Sequence, residues 1–324
     1  MTKALVLMSG GLDSMLAARI LQEQCEVIGI CFESPFFGCE KAKKAAEQLA
    51  ILLKIIKLGK KYYKMLRKPK HGYGSAMNPC IDCHAFMLKL ARKMMRREKA
   101  DFIATGEVLN ERPMSQTLKS LEIVEKESGL SQKLLRPLSA KLLPETEIEK
   151  KGLVDRSKLL DISGRSRKKQ MELAEKYKLS YPAPAGGCLL CEKEFGKKLA
   201  ELFSRKKRVS ENDLEMLKYG RHFWHNKSRI IVGRNEQENN KLLELKGRRD
   251  FALEAADIPG PIVILQGKDI AEAARLAARY SDAAAGSVSV KYGRKNLNDE
   301  NHRIFSMPKI QRIFKHKLIT VKKE

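Results

Sequence analysis

Long hydrophobic runs are absent from this sequence of 324 residues. No uninterrupted apolar stretch approaches the roughly 20 residues that cross a bilayer, which excludes a protein built on membrane-spanning helices. The first strand-like segment begins so close to the N-terminus that no signal peptide is expected before it. Internal repeats and low-complexity tracts are absent too. With 43% hydrophobic and 32% charged residues, the composition is that of a soluble globular protein, and the length predicts two or three domains.

The sequence also lacks the even number of cysteines that a full set of disulfides would use. The chain has seven, and together with the lack of a secretory segment this argues against a disulfide framework and for the reducing cytoplasm. In that compartment clustered cysteines more often bind metal or take part in chemistry. Cys25, Cys31 and Cys39 lie in or beside apolar segments, and we predict that they are ordinary small core residues.

Acidic residues are scarce relative to basic ones. The chain has 39 Asp and Glu against 64 Lys and Arg, a formal net charge of +25. Such an excess creates a field that favours a polyanionic partner. A membrane surface is the competing explanation, but the sequence has no basic amphipathic helix with a bulky apolar face. Nucleic acid is therefore the expected partner, and no membrane association is expected.

The clearest pattern that is present is a glycine turn near the N-terminus. An apolar run over residues 4–8 predicts a buried strand, and Ser9-Gly10-Gly11-Leu12-Asp13-Ser14 then leads into an amphipathic helix. Adjacent glycines expose backbone N–H groups, and a helix start adds free donors and the positive end of its dipole. The turn has neither the Gly-Lys-Ser/Thr of a Walker loop nor the spacing of a dinucleotide fingerprint. We therefore predict a different kind of anion-binding turn.

Strand-like and helix-like segments alternate after this turn. The pattern predicts an α/β fold with a doubly wound parallel sheet and right-handed crossovers. Residues 60–77 are basic and are predicted to be irregular. Such sheets bind ligands beyond the carboxyl ends of their strands, where Ser9 to Ser14 would lie. The expected elements are strands over residues 26–32, 54–58 and 101–105, a helix over about 40–53, and a helix that follows the stretch 77–84 and runs to about residue 97.

Two Cys-x-x-Cys pairs lie about a hundred residues apart, at Cys80 and Cys83 and at Cys188 and Cys191. Four thiolates from two such turns can form a tetrahedral zinc site. The same residues can hold an iron–sulfur cluster, for which cysteine thiolates are the usual ligands. A third alternative needs no metal: one cysteine carries a persulfide and another resolves it.

The glycine turn resembles the loop of the pyrophosphate-loop ATPases (the ATP-pyrophosphatase, or adenine nucleotide alpha hydrolase, superfamily), which cleave ATP to AMP and pyrophosphate. The resemblance implies that Ser9, Gly10, Gly11 and Ser14 bind the phosphates of ATP and that Asp13 places Mg²⁺. It also implies that the Thr-Gly pair after a later strand, Thr105 and Gly106, lines the nucleotide site.

The Asn-Pro-x-x-x-Cys stretch that begins at Asn78 resembles the catalytic-cysteine motif of tRNA 2-thiouridine synthases. Cys83 falls on the catalytic cysteine, and Cys188 falls on the second one. Iron–sulfur tRNA thiolases use a Cys-x-x-Cys pair plus a distant cysteine, which by position implies a 4Fe-4S cluster on Cys80, Cys83 and Cys188. Cys191 has no counterpart in this resemblance.

A wider pattern is similar to a prokaryotic group of thiouridine-synthase-like proteins. One stretch departs from it, because Asn110-Glu111 stands where Gly-Gln is expected before Arg112. Any role for those two positions is therefore in doubt. The matching segments are Gly106-Glu107-Val108, Arg112-Pro113-Met114-Ser115-Gln116, Arg136-Pro137-Leu138-Ser139-Ala140 and Pro184-Ala185-Gly186-Gly187-Cys188-Leu189-Leu190.

The C-terminal third resembles the RNA-binding domain called NFACT-R. The resemblance rests on Gly220-Arg221-His222-Phe223, Val232 to Asn239, Ile258-Pro259-Gly260-Pro261 and Ala273 to Ser281. It implies an α+β domain that binds RNA through cationic side chains and aromatic stacking. The expected RNA-binding residues are Arg221, Arg229 and Arg234, with Phe223 and Trp224 as stacking platforms.

Together these patterns predict an ATP-dependent tRNA sulfurtransferase with ATP, Mg²⁺ and a 4Fe-4S cluster, with Zn²⁺ as the alternative. Asp13, Cys83 and Cys188 are the expected catalytic residues. The expected partners are tRNA and a sulfur donor, either sulfide or sulfur from a cysteine desulfurase. Two alternatives remain: another RNA-modifying ligase or amidating enzyme with a structural zinc, and a non-catalytic RNA- or ribosome-binding factor. We expect an ATPase domain over 1–165, a cysteine-bearing linker over 166–214 and the RNA-binding domain over 215–324.

Overall fold

The computed structural model describes residues 2–183, 187–284, 286–294 and 303–308. The chain forms two compact units, Met1–Lys197 and Lys198–Glu324. The expected boundaries at residues 165 and 214 stay a prediction. Part of the proline–glycine segment (184–186) and the basic tail from residue 309 lie outside the described residues. Within the described ranges, no helix is long and apolar enough to cross a membrane.

The first unit is built on a five-stranded parallel sheet with the strand order β3-β2-β1-β4-β5. This confirms the predicted doubly wound α/β fold. The strand order reverses between β1 and β4, and the crevice beyond the carboxyl ends of these two strands is the usual ligand site of such sheets. The strands are β1 (Lys3–Leu7), β2 (Glu26–Glu33), β3 (Leu52–Lys57), β4 (Phe102–Thr105) and β5 (Leu134–Leu135).

Helices cover this sheet, and β1 lies at the centre of its core. Ala4, Leu5 and Val6 on β1 are fully buried because both faces of the strand are covered. Each large apolar side chain buried in this way contributes about 1.5–3 kcal/mol to the hydrophobic term. The helices of this unit are α1 (Leu12–Gln22), α2 (Glu40–Gln48), α3 (Lys60–Arg67), α4 (Cys80–Arg97), α5 (Leu118–Ser128), α6 (Glu147–Lys150) and α7 (Lys168–Lys176). The next helix, α8 (Lys193–Arg205), begins in the first unit and ends in the second.

Two sequence-based boundaries in this unit are wrong. The helix predicted to reach residue 53 ends at Gln48, because Ala50 takes a left-handed conformation (φ 52°) that reverses the chain into β3. Residues 60–77 are not wholly irregular, since α3 forms there. Its buried residues Tyr62 and Leu66 lie one turn apart and give the basic segment an apolar face.

Cys31 and Cys39 are joined by a disulfide, with their Cα atoms 6.0 Å apart. The pair links β2 to the residue that precedes α2. Both side chains are buried, as expected for core cysteines. The expectation that they are unlinked is wrong, because the return of the chain into α2 brings the two sulfurs together.

The second unit is an antiparallel six-stranded sheet with the order β11-β10-β8-β9-β7-β6. Alanines of α11 pack on one face and Leu242 of α10 joins the core on the other. The α+β class is therefore as predicted. The elements are β6 (Arg221–His225), β7 (Ser228–Val232), β8 (Phe251–Ala255), β9 (Val263–Gln266), β10 (Ser287–Gly293), β11 (Arg303–Pro308), α9 (Glu211–Glu215), α10 (Glu236–Leu245) and α11 (Ile270–Tyr280).

The glycine turn after β1 packs backbone to backbone against the first turn of α2. Gly10 has a φ of +75°, and a Cβ at this position would lie 2.2 Å from the carbonyl carbon of Lys41. A left-handed φ disfavours any residue with a Cβ, and a backbone atom cannot move aside as a flexible side chain can. Only glycine therefore allows this approach.

We expect Gly10→Ala to lower the free energy of unfolding by at least about 2 kcal/mol, measured in urea, because the left-handed conformation and the overlap with Lys41 both penalise it. Gly38→Ala is the control, since a Cβ at Gly38 meets no atom within 4 Å. It should change stability by less than about 0.5 kcal/mol. Equal effects of the two substitutions would contradict the close approach.

Candidate functional site

The glycine turn places two hydroxyl groups at the N-terminus of α1. The Gly11 N–H donates to Ser9 Oγ (3.2 Å), and Ser14 Oγ donates to the Gly11 carbonyl (2.8 Å), with the two hydroxyl oxygens 3.3 Å apart. Gly11 is the N-cap of α1 and no side-chain cap bonds this helix start. First-turn N–H groups without a side-chain acceptor, at the positive end of the dipole, suit an anion.

The turn after β4 touches this helix start directly. A Cβ at Gly106 would lie 2.5 Å from the carbonyl carbon of Asp13, so glycine is required for the approach. Thr105 is 4% exposed, and its hydroxyl donates to Glu107 Oε2 (3.0 Å) rather than pointing to solvent. Both predicted positions therefore lie at the carboxyl end of β4 beside α1, with Thr105 turned inward.

A buried charge network follows from this turn. Glu107 is bonded to His84 Nδ1 (2.7 Å) and accepts from Arg136 Nε (3.1 Å). Arg136 also donates to Glu125 Oε2 (3.0 Å) and to the Leu121 carbonyl. Burial would raise the pKa of Glu107, but His84 and Arg136 outweigh burial and lower it to about 2. The carboxylate is therefore charged and fully paired.

Sequence reasoning missed this network, although Glu107 and Arg136 stood inside matching segments. His84 follows Cys83 in α4, and burial would lower its pKa. The hydrogen bond and negative charge of Glu107 outweigh burial, and the pKa of His84 is raised. The raised pKa favours the protonated imidazole next to the cysteine pair. The only available signal was a histidine beside a Cys-x-x-Cys pair.

The two Cys-x-x-Cys pairs meet, although they are a hundred residues apart in sequence. The thiol of Cys80 interacts with that of Cys191, and Cys191 interacts with Cys188. The interaction with Cys191, followed by burial, raises the pKa of Cys80. Cys83 is 8% exposed, and burial raises its pKa to about 12. These pKa values describe thiols, which need a base, a metal or an oxidant before they react as thiolates.

The predicted metal ligand set is not assembled in this arrangement. Among the described residues, no three His, Cys, Asp or Glu side chains are placed to hold a metal ion. The sulfur of Cys83 lies 3.3 Å from the hydroxyl of Tyr62 on α3, and the side-chain amide of Asn78 donates to the sulfur of Cys80 (3.3 Å). The four sulfurs are the right donors for zinc or an iron–sulfur cluster, but the cluster on Cys80, Cys83 and Cys188 stays a prediction.

The three arginines expected to bind RNA have different surroundings in the second unit. Arg221 on β6 is exposed, and its guanidinium lies 5.0 Å from the centre of the Tyr280 ring. Arg234 is half-exposed and ion-paired with Glu238. The guanidinium of Arg205 lies 5.4 Å from the centre of the Trp224 ring. Arg221 is thus the member of the set whose charge faces solvent beside an aromatic ring.

The prediction that Arg229 contacts RNA is wrong. Its side chain is 1% exposed on the fully buried strand β7, and it bonds to the Asp213 carbonyl (3.2 Å) and to Gln266 Oε1 (3.4 Å). Burial lowers its pKa to about 10. An RNA phosphate cannot reach this guanidinium, so Arg229 is a core residue rather than an RNA contact.

The first unit is an α/β domain with a glycine loop after the central strand of its parallel sheet, at the point where the strand order reverses. Family models match both parts of the chain. Residues 1–141 match the model described as "Thiamine biosynthesis protein (ThiI)", and residues 220–313 match "NFACT protein RNA binding domain". The N-terminal part is thus similar to the ThiI family, and the C-terminal part is similar to the NFACT RNA-binding domain.

Curated relatives match the N-terminal part of the chain. It is 32% identical over 115 residues to the tRNA-specific 2-thiouridylase MnmA 2 of Fusobacterium nucleatum, covering 33% of this chain and 34% of that protein. It is 30% identical over 141 residues to a probable tRNA sulfurtransferase of Thermoanaerobacter sp. (strain X514), covering 42% of this chain and 36% of that protein. The chain thus spans about a third of the length of these relatives.

A solved structure of a predicted subunit of tRNA methyltransferase from Methanocaldococcus jannaschii is similar at 18% identity. It covers 54% of this chain and 76% of that chain, with a TM-score of 0.36. A likeness at this level carries no argument about function.

We expect His84→Gln to destabilise the protein by about 1–2 kcal/mol at pH 6 and by clearly less at pH 9. A raised folded-state pKa means that the His84–Glu107 interaction stabilises fully below the unfolded pKa of about 6.5 and fades as pH rises through the folded pKa. Urea unfolding at the two pH values measures this. Equal losses at both would show that the imidazole is held as a neutral group.

Proposed function

We propose that this protein is an ATP-dependent tRNA sulfurtransferase that replaces a uridine carbonyl oxygen with sulfur. The observation that carries the proposal is the link between the glycine loop and the cysteine pair. Gly106 contacts the first turn of α1, and the next residue, Glu107, holds His84 beside Cys83. The charge of Arg112 acts on Asp13, on His84 and on Cys191 alike. Nucleotide and sulfur chemistry would thus share one edge of the sheet.

The proposed reaction has two steps, because a uracil carbonyl oxygen is a poor leaving group. The oxygen first attacks the α-phosphate of ATP, which forms an O-AMP ester and releases pyrophosphate. Ser9, Gly10, Gly11 and Ser14 would hold the phosphates, and Asp13 would place Mg²⁺. Positioning and neutralisation of the phosphate charge supply most of the rate for such a transfer. Thr105 and Gly106 would support the nucleotide side of this edge.

In the second step a sulfur nucleophile attacks the activated carbon and AMP leaves. A persulfide on Cys83 or Cys188 can do this, after which a neighbouring thiol attacks the carrier sulfur. That attack breaks the persulfide S–S bond, leaves the thiocarbonyl on the base and forms a protein disulfide. The meeting of four cysteines at one place supports a carrier and a resolving thiol in reach of each other. A cysteine desulfurase would supply the persulfide sulfur, because it transfers sulfur that is already at this oxidation level. Sulfide as the donor would instead attack the activated carbon directly, with AMP leaving and no persulfide formed.

A 4Fe-4S cluster on Cys80, Cys83 and Cys188 remains part of the proposal, with zinc as the alternative. Cys83 would have to exchange its contact with the Tyr62 hydroxyl for the cluster or the zinc ion. Anaerobic purification with iron, zinc and acid-labile sulfide analysis tests it. Iron lost in Cys80→Ala, Cys83→Ala and Cys188→Ala but kept in Cys191→Ala supports the cluster. Stoichiometric zinc lost in all four variants would contradict it and favour a closed structural site.

The reaction itself is tested with tRNA, ATP, cysteine with a cysteine desulfurase as the persulfide source, and a thiol that reduces the protein disulfide, following pyrophosphate release and thiouridine in digested tRNA. We expect both products from the wild type, and we expect Cys83→Ala and Cys188→Ala to lose thiouridine by at least about a hundredfold. Pyrophosphate release without thiouridine would favour another RNA-modifying ligase. No pyrophosphate release would favour a non-catalytic RNA- or ribosome-binding factor.

The second unit would anchor the tRNA body while the target base leaves its stack to reach the pocket. The NFACT-type match and the net charge of +25 support this role. Arg221 would contribute through phosphate contact and stacking next to Tyr280.

We expect Arg221→Gln to weaken tRNA binding about tenfold at 0.1 M salt and to lower the salt-dependence slope by about one. Filter binding over a salt series measures both. Arg275→Gln is the matched control, because it also removes one positive charge but that guanidinium is already paired with Glu272. Equal effects of the two variants on tRNA binding would show that Arg221 contributes only its positive charge and makes no specific contact.

A further inference from the structure

The outer strand of the second unit carries a positive charge and an aromatic ring on each of its two faces. β6 is the last strand in the described sheet, and a two-residue turn joins it to its partner β7. Side chains alternate between the two faces of a strand. Arg221 and Phe223 therefore project to one face and Trp224 to the other, and the edge of β6 that faces away from β7 lies between them.

On the face that α11 covers, one tyrosine ring lies beside two guanidinium groups. The rings of Phe223 and Tyr280 pack against the alanine-rich core with their centres 6.2 Å apart. The guanidinium of Arg221 lies 5.0 Å from the centre of the Tyr280 ring, and the guanidinium of Arg279 lies 5.6 Å from it. The core thus holds the ring in place, and two positive charges lie beside it.

On the opposite face, the one tryptophan of the chain lies beside the end of α8. The guanidinium of Arg205, the last residue of α8, lies 5.4 Å from the centre of the Trp224 ring. Arg205 begins a run of four basic residues, 205–208. The second of them, Lys206, donates to the buried carboxylate of Asp213 (2.6 Å). This ion pair fixes the end of α8 to the second unit, and the exposed Arg205 stays beside the ring.

The number and chemistry of these pairs indicate a nucleic-acid strand with unpaired bases. Cation–π pairs occur about once per 70–80 residues in proteins, whereas three lie around the five residues of β6. A guanidinium offers its charge to a phosphate, and the ring offers a flat surface to a base. A base inside a duplex is stacked on its neighbours, so it reaches a protein ring only when it leaves the stack. A single strand can also bend across an edge to reach both faces.

We propose that the second unit binds an unpaired RNA segment across the outer edge of β6, with bases stacked at Trp224 on one face and at Tyr280 on the other. The guanidinium groups of Arg205, Arg221 and Arg279 contact the phosphates of the same segment. This inference rests on the proposed role of the second unit as the anchor for tRNA. It specifies that the anchored part is single-stranded rather than a helical stem.

The test uses the fluorescence of Trp224, which reports on this site alone because the chain has one tryptophan. The full chain is titrated with a mixed-sequence RNA strand about 12 nucleotides long, with the duplex that this strand forms with its complement, and with inorganic polyphosphate. We expect the unpaired strand to bind at least about tenfold more tightly than the duplex and to quench Trp224 about twofold. Polyphosphate carries the charge without bases and should bind without quenching.

Variants separate stacking from charge, with binding followed by the anisotropy of a labelled strand. Trp224→Leu should weaken binding of the unpaired strand about tenfold, whereas Trp224→Phe keeps a ring and should stay within about threefold of the wild type. Arg205→Gln should weaken it about fivefold. Lys241→Gln is the matched control and should change affinity less than about twofold. It also removes one positive charge, and Lys241 pairs with Glu244 of its own helix (2.7 Å) as Arg205 pairs with Glu201 (3.2 Å).

The outcomes distinguish this inference from the proposed function. Equal affinity for the strand and the duplex would overturn the inference, and so would an unpaired strand that binds without quenching Trp224 or that polyphosphate matches in quenching. Each of these results leaves the proposed function in place when the same preparation forms thiouridine in tRNA. A full chain that binds neither the strand, the duplex nor tRNA would overturn the proposed function as well.

Discussion

The close packing of backbone at the start of α1 is the constraint on which the first unit depends. Gly10 meets the main chain of Lys41, and Gly106 meets the main chain of Asp13. The turn after β1 thus packs on the first turn of α2, and the turn after β4 packs on the first turn of α1, with no side chain between the backbones. This contact fixes the helix N-terminus and its free N–H groups at the point where the strand order reverses. Everything proposed for the nucleotide, from the two serine hydroxyls to Asp13, is positioned from this junction.

The charge network of Glu107 extends this junction to the cysteines. A carboxylate that is bonded to a histidine and an arginine in a buried place is held in one orientation, and it holds His84 in turn. A buried charged group that loses its partner costs free energy. The network is therefore stable only when every member is paired, and this makes its geometry specific. His84, whose pKa is raised, lies next to Cys83, whose pKa is raised as well. A thiol with a raised pKa needs a base, a metal or an oxidant before it reacts as a thiolate.

Positively charged side chains have different surroundings in the two units. In the first unit, Arg112, Arg136 and Arg167 act on buried carboxylates, whereas in the second unit Arg221 faces solvent over an aromatic ring. Arg229 shows that a basic residue in a binding-type domain can be a core residue when its strand is buried on both faces. Net charge therefore predicts a class of partner and not the residues that contact it.

The sequence by itself determined the α/β class, the strand–turn–helix unit at Ser9 to Ser14 and a helix that ends at about Arg97. These follow from local periodicity and from glycine chemistry, which depend on neighbours along the chain. Only the tertiary structure decided the pairing of His84 with Glu107, the burial of Arg229 and the disulfide between Cys31 and Cys39. Each of these joins residues that are distant in sequence or close only after the chain turns back. Partners of that kind are selected by packing and desolvation, which no local pattern encodes.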